Sequence, residues 1–159
     1  MGDARRFDLM AGLVAYEFPD RNLRIADAAG GKGYLSIALV QRGFRDVTMF
    51  DRRRTIARKT GAPFRYGGRL FSWTTKEEFG LVVGMHPDEA TDHIVMYAAN
   101  HSVPFVVCPC CIKPDAAVYW GGGREFWTWI SHLERLAKGL VVERRYLRMA
   151  GKNLVLIGK

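Results

Sequence analysis

No stretch of this 159-residue chain approaches the roughly 20 consecutive apolar residues that cross a bilayer. The first residues, Met1-Gly2-Asp3-Ala4-Arg5-Arg6, lead into mixed polar and apolar sequence rather than a signal-peptide core. A soluble, cytoplasmic protein without a membrane partner is the expectation. Cysteine is scarce: all three residues fall within Cys108-Pro109-Cys110-Cys111, which excludes a disulfide framework and suits a reducing compartment. Internal repeats, low-complexity tracts and linkers are absent too. The length predicts one domain over residues 1–159, with no room for a second substrate-binding module.

What is present is an ordinary globular balance, 48% hydrophobic and 25% charged, with a net charge of +8. The charge is unevenly spread. Residues 41–70 hold nine basic groups against two acidic, and residues 135–159 hold seven against one. Residues 76–134 hold three basic against eight acidic. Two basic blocks of this kind suit a polyanion such as RNA, and equally a solubilising surface.

Along the chain, strand-like apolar runs alternate with helix-like spacing, the pattern of an α/β sheet. Phe7, Met10, Val14 and Ala15 predict a helix over residues 4–16. Residues 23–26 read as a short buried strand ending at Asp27, followed by a glycine turn and a helix from Tyr34 to Gln41. Residues 47–50 form the next strand, ending at Asp51, and residues 64–66 a weak third. Residues 81–84 and 103–108 are buried strands flanking a helix over residues 89–100, for which Asp88 is the expected cap. After Gly121-Gly122-Gly123, Phe126, Ile130, Leu133 and Ala137 share one face of an amphipathic helix. Two closing strands, residues 140–147 and 153–157, are joined so closely that they must be antiparallel. The expected fold is a Rossmann-like α/β structure: a mostly parallel sheet, helices on both faces, and a C-terminal antiparallel hairpin.

The turn Asp27-Ala28-Ala29-Gly30-Gly31-Lys32-Gly33 carries the main signal. Its glycines let backbone approach a ligand closely, at the sheet edge where open α/β folds bind. Asp51 ends the second strand, where a carboxylate can accept hydrogen bonds from both hydroxyls of a ribose. A dinucleotide site is the alternative, because Gly31-Lys32-Gly33-Tyr34-Leu35-Ser36 fits the dinucleotide fingerprint except for serine at its third glycine, and Asp51 lies at about the expected distance.

The same residues resemble the first motif of class I S-adenosylmethionine-dependent methyltransferases, an acidic residue followed by Gly-x-Gly-x-Gly. Gly31, Gly33 and Asp27 match, and Ala29 stands where the first glycine usually sits, beside Gly30. The resemblance covers nearly the whole chain in element order. It implies S-adenosylmethionine as cofactor, with Gly31 and Gly33 along its methionine and ribose. Asp51 would hold the ribose and Asp27 would organise the loop near the amino group. Arg52, directly after Asp51, is a candidate to pack over the adenine edge.

In such a fold the loops after the fourth and fifth strands face the methyl group. Here they read Gly84-Met85-His86-Pro87-Asp88-Glu89 and Cys108-Pro109-Cys110-Cys111. The pair is similar to loops of eukaryotic-type tRNA ribose 2′-O-methyltransferases. The first loop lacks the Asn/Asp-Pro-Pro-Tyr/Phe sequence of many amino-group methyltransferases. His86 is the candidate general base and Asp88 a candidate catalyst. Cys110 or Cys111 would stand where RNA cytosine-5 methyltransferases place a nucleophile. Alternatively they could bind zinc with His86 or His101, or form the pocket wall; the wall, without a metal, is the favoured expectation. Cys108 is expected to point into the sheet.

Tyr119 and Trp120 are candidates to stack on a base, whereas Trp127 and Trp129 read as core or interface. Arg52, Arg53, Arg54, Arg58 and Lys59 could follow a phosphate backbone. The resulting expectation is a methyltransferase acting on RNA, either tRNA or rRNA, helped by the basic blocks or by a protein partner. A small-molecule or protein methyltransferase, and a non-catalytic binding or assembly module, stand beside it.

Overall fold

The computed structural model describes residues 3–53, 63–113 and 125–159. The segments holding Arg54, Arg58, Lys59, Tyr119, Trp120 and Gly121 to Gly123 lie outside the described residues. Elements run α1 (Arg6–Glu17), β1 (Arg24–Ala28), α2 (Tyr34–Gln41), β2 (Asp46–Phe50), β3 (Arg65–Tyr66) and β4 (Leu81–Met85). Then follow α3 (Ala90–His101), β5 (Phe105–Cys108), α4 (Phe126–Leu136), β6 (Val142–Tyr146) and β7 (Leu154–Gly158).

Among the described residues, seven strands join one sheet in the order β3-β2-β1-β4-β5-β7-β6. Strands β1 to β5 pair in parallel, and β7 enters antiparallel between β5 and β6. The inner strands are short and apolar on both sides because helices cover both faces. On one face, Met10, Ala11 and Val14 of α1 and Leu35, Ala38 and Leu39 of α2 pack on Ile25, Val47, Val83 and Val106. On the other, Ile94, Val95 and Tyr97 of α3 and Trp129, Ile130 and Leu133 of α4 pack on Ala26, Ala28, Val82 and Val107. Side chains one apart along β1 thus serve opposite cores, as the period of two requires.

The exposed edge strand β6 carries Arg144 and Arg145, a charged border that discourages further strand pairing. β7 beside it is buried throughout. Among the described residues no helix is long and apolar enough to cross a membrane.

Parallel pairing places the carboxyl ends of β1, β2, β4 and β5 on one edge, with Ala28 beside Phe50 and Met85 beside Cys108. The four loops that follow therefore share that edge. One expectation fails there. Helix α3 begins at Ala90 with Glu89 at its cap position, and neither residue supplies a side-chain cap. Asp88 lies before it in the left-handed region, at φ 49°, with its carboxylate turned toward the loop after β5.

Candidate functional site

Asp27 sits in the middle of the sheet edge and is 1% exposed. Ser36, on the first turn of α2, donates its hydroxyl to Asp27 Oδ2 at 2.6 Å. Burial raises the carboxyl to about 6, since desolvation outweighs the opposing hydrogen bond from Ser36.

The chain then turns sharply. Ala29, Gly31 and Gly33 all adopt positive φ, at 64°, 56° and 78°. A side chain at Gly30 would force its neighbours to shift: a Cβ there would come within 2.3 Å of Met49 Cγ and 2.9 Å of Asp27 Oδ2. Its N–H donates to the Phe50 carbonyl at 3.0 Å, tying the turn to the end of β2.

Asp51, 5% exposed, receives that turn. The Gly31 N–H donates to Oδ2 at 2.9 Å, and the Arg53 backbone N–H donates to Oδ1 at 2.8 Å. Arg53 also reaches back with Nε to Oδ1 at 3.1 Å and Nη2 to Oδ2 at 3.0 Å. Burial alone would raise Asp51; the hydrogen bonds and charge of Arg53, with the Gly31 N–H, outweigh it and hold the carboxyl below its usual value.

Two recesses open beside these acids. The smaller, about 270 Å³, is lined by Asp27, Gly30, Gly31 and Lys32 with Arg6 and Tyr34. The larger, about 760 Å³, is lined by Asp51 and Arg52, then Leu70, Phe71 and Ser72, and Pro87 to Ala90. Ala29, Arg53 and His86 line both.

His86 follows β4 with φ 53° and is half-buried. Its Nε2 lies 3.0 Å from the Lys152 carbonyl, in the tip of the hairpin. A carbonyl only accepts, so Nε2 carries the proton and Nδ1 keeps its lone pair. Burial, reinforced by the charge of Arg6, lowers the imidazole below its usual value against the hydrogen bond to Lys152 and the charge of Asp88. The ring is neutral at pH 7.

Cys108 is fully buried, as expected, and donates to the Lys152 carbonyl at 3.6 Å; burial raises its thiol to about 12. Cys110 and Cys111 are half-buried beside Asp88. Both thiols are raised, chiefly by burial and further by that carboxylate. A nucleophilic cysteine needs the opposite shift, so neither is set up to attack a pyrimidine. Burial would raise Asp88, but hydrogen bonds from Cys111 and Cys110 and the charge of Lys113 hold it below its usual value. His101 stacks on Tyr97 at 4.1 Å and belongs to no metal-donor cluster among the described residues; His86 belongs to none either.

The expected cofactor residues Asp27, Ala29, Gly30, Gly31, Asp51 and Arg52 thus meet at one edge. Gly33 backs the turn against Phe64 and Met49. Arg53 engages Asp51, and Arg52 lines the larger recess. Sequence reasoning missed Arg6, at the start of α1, and Leu70 to Ser72, from a segment without helical or strand periodicity. Trp129 is core, while Trp127 is exposed, with Arg144 over its ring at 5.7 Å.

No protein-family model matches the chain, and no curated protein matches it by sequence. Solved structures do match by shape. The sugar N-methyltransferase of a Streptoalloteichus species is similar with a TM-score of 0.64 at 13% identity, over 98% of this chain and 86% of that one. The magnesium protoporphyrin IX methyltransferase of Synechocystis, with S-adenosylmethionine bound, gives 0.64 at 14% identity, over 96% and 76%. The cyclase SpnF gives 0.62 at 13% identity, over 88% and 59%. At such identities the likeness establishes the architecture: the chain has the Rossmann-like fold that these enzymes share.

Proposed function

We propose that this chain is an S-adenosylmethionine-dependent methyltransferase. The observation that carries the reading is the pair of buried carboxylates, Asp27 and Asp51, on either side of a glycine turn where two recesses meet. Two acids at that position favour a ligand with hydroxyls and positive charge. Asp51 suits the ribose of either kind of cofactor, but Asp27 beside the turn disfavours a pyrophosphate, so the dinucleotide alternative is weaker. The residues fit the proposed cofactor. Asp51 would take the ribose hydroxyls, Leu70 to Ser72 would wall the adenine, and Gly31 with Asp27 would face the amino end. Arg6 and Lys32 would take the carboxylate.

When bound, the cofactor supplies a methyl group already activated on a sulfonium. The chain's own task is then modest: to align an acceptor in line with that methyl, exclude water and remove a proton. His86, neutral and lining both recesses, would accept it through Nδ1.

Calorimetric titration with S-adenosylmethionine, S-adenosylhomocysteine and NAD tests the reading. Micromolar binding of the first two, lost in Asp51→Ala, is expected; binding of NAD alone, or of none, overturns it.

An RNA acceptor is a second reading, supported by the net charge and the two basic blocks. Several members of those blocks are ion-paired, among them Arg42 with Asp8, Arg69 with Glu77 and Arg144 with Glu134. Exposed pairs of this kind are weak and can exchange for phosphates. Binding of tRNA that weakens steeply with salt is expected on this reading. No RNA binding at low salt would leave a small molecule or protein as acceptor.

A further inference from the structure

Asp88 and the pair Cys110 and Cys111 come from different loops, after β4 and β5, which the parallel sheet brings to one edge. Both thiols donate to the same oxygen, Asp88 Oδ1, Cys110 at 3.2 Å and Cys111 at 3.1 Å. The two sulfurs are 3.3 Å apart. One donor atom from each of the three residues lies within 4.8 Å of the others. Ligands about 2.0 to 2.3 Å from one tetrahedral ion stand roughly 3.3 to 3.8 Å from each other, so this triangle needs little rearrangement to close on a cation.

We propose that Asp88, Cys110 and Cys111 bind one thiophilic divalent cation, zinc by its ligand chemistry, in the wall of the larger recess. Two thiolates with a carboxylate favour zinc over magnesium or calcium, which prefer all-oxygen shells. Three protein ligands leave a fourth position open to water or an acceptor. Because Asp88 lines the larger recess with His86, the ion lies on the same recess as the histidine proposed to take the acceptor's proton. Each thiol loses its proton as its sulfur–metal bond forms, so binding releases two protons and no electron moves. Three anionic ligands leave the divalent ion with one net negative charge. Lys113, with Nζ 3.4 Å from Asp88 Oδ1, stands beside it to balance that charge.

The test uses the full chain, reduced, stripped of metal and without S-adenosylmethionine. Metal and cofactor sites are thus measured separately, and failure of one leaves the other standing. Zinc titrated in competition with a chromophoric chelator is expected to bind at one equivalent per chain, releasing close to two protons at pH 7. Cobalt(II) is expected to give thiolate charge-transfer bands with tetrahedral visible absorption. Cys110→Ser, Cys111→Ser and Asp88→Asn should each weaken zinc by at least the roughly 10- to 100-fold that loss of a mere supporting contact costs. Should a variant fail to fold, the cobalt spectrum and proton count of the unaltered chain decide alone. No stoichiometric binding at micromolar metal, a cobalt spectrum without thiolate bands, or affinity unchanged in all three folded variants overturns the proposal.

Discussion

Arg53 folds back onto Asp51 with two side-chain N–H groups, at 3.1 and 3.0 Å, where the two recesses meet. The guanidinium occupies the very oxygens that a ribose would need. The Arg53 side chain is 73% exposed, while that of Asp51 is 6% exposed, so the arginine can leave more readily than the carboxylate can turn. Arg53→Ala is therefore expected to tighten S-adenosylhomocysteine by up to about fivefold, the equivalent of an exposed ion pair of at most ~1 kcal/mol. Calorimetry checks it. Weakening comparable to that in Asp51→Ala would instead make Arg53 a ligand contact.

Asp27 predicts a pH dependence of the opposite sign from most carboxylates. Its folded value of about 6 lies above its unfolded value, so the folded state holds the proton more tightly. Stability from this group is therefore greatest at low pH and falls as pH rises through about 4 to 6. Two units correspond to about 3 kcal/mol. Asp27→Asn keeps an acceptor for Ser36 but removes the buried charge. Its urea-unfolding curve should lose this slope and gain stability at pH 8. An unchanged slope would mean that Asp27 is not the group responsible.

Ala29 and Gly30 make contrasting demands on the same turn. Ala29 pays for φ 64° with a Cβ, so Ala29→Gly should stabilise by about 0.5 to 1 kcal/mol. At Gly30 the obstacle is space, since an added Cβ would meet Met49 and Asp27. Gly30→Ala should destabilise by about 1 to 3 kcal/mol and loosen cofactor binding. Thermal unfolding of both variants distinguishes strain from crowding.

Local signals made much of this legible in advance. The Asp27 turn, the element order and the terminal hairpin each follow from short-range rules of spacing, glycine and strand length, and all are found. The failures lie where distant segments meet. Asp88 precedes a helix and looks like its cap, yet two thiols 22 and 23 positions later draw its carboxylate away. Leu70 to Ser72 wall the larger recess although no periodicity marks them. The partner of His86 is the backbone carbonyl of Lys152, 66 positions away, and a backbone acceptor leaves no trace in residue type.

The protonation state of His86 can be tested before any acceptor is known. The Lys152 carbonyl fixes the proton on Nε2, and burial lowers the ring's pKa below the ordinary histidine value. A lowered histidine supports the fold fully above its unfolded pKa and loses that support as pH falls below about 6.5. Nitrogen NMR should show the Nε2–H tautomer at pH 7, with ring titration below 6.5. His86→Asn preserves tolerance for positive φ, so it should fold while losing the acid-side titration and the hydrogen bond to Lys152. Once an acceptor is in hand, the same variant should lower kcat by about 10²- to 10⁴-fold with cofactor affinity little changed. A folded His86→Asn with undiminished kcat would assign His86 to tying the hairpin to β4, and leave proton removal to another group or to water.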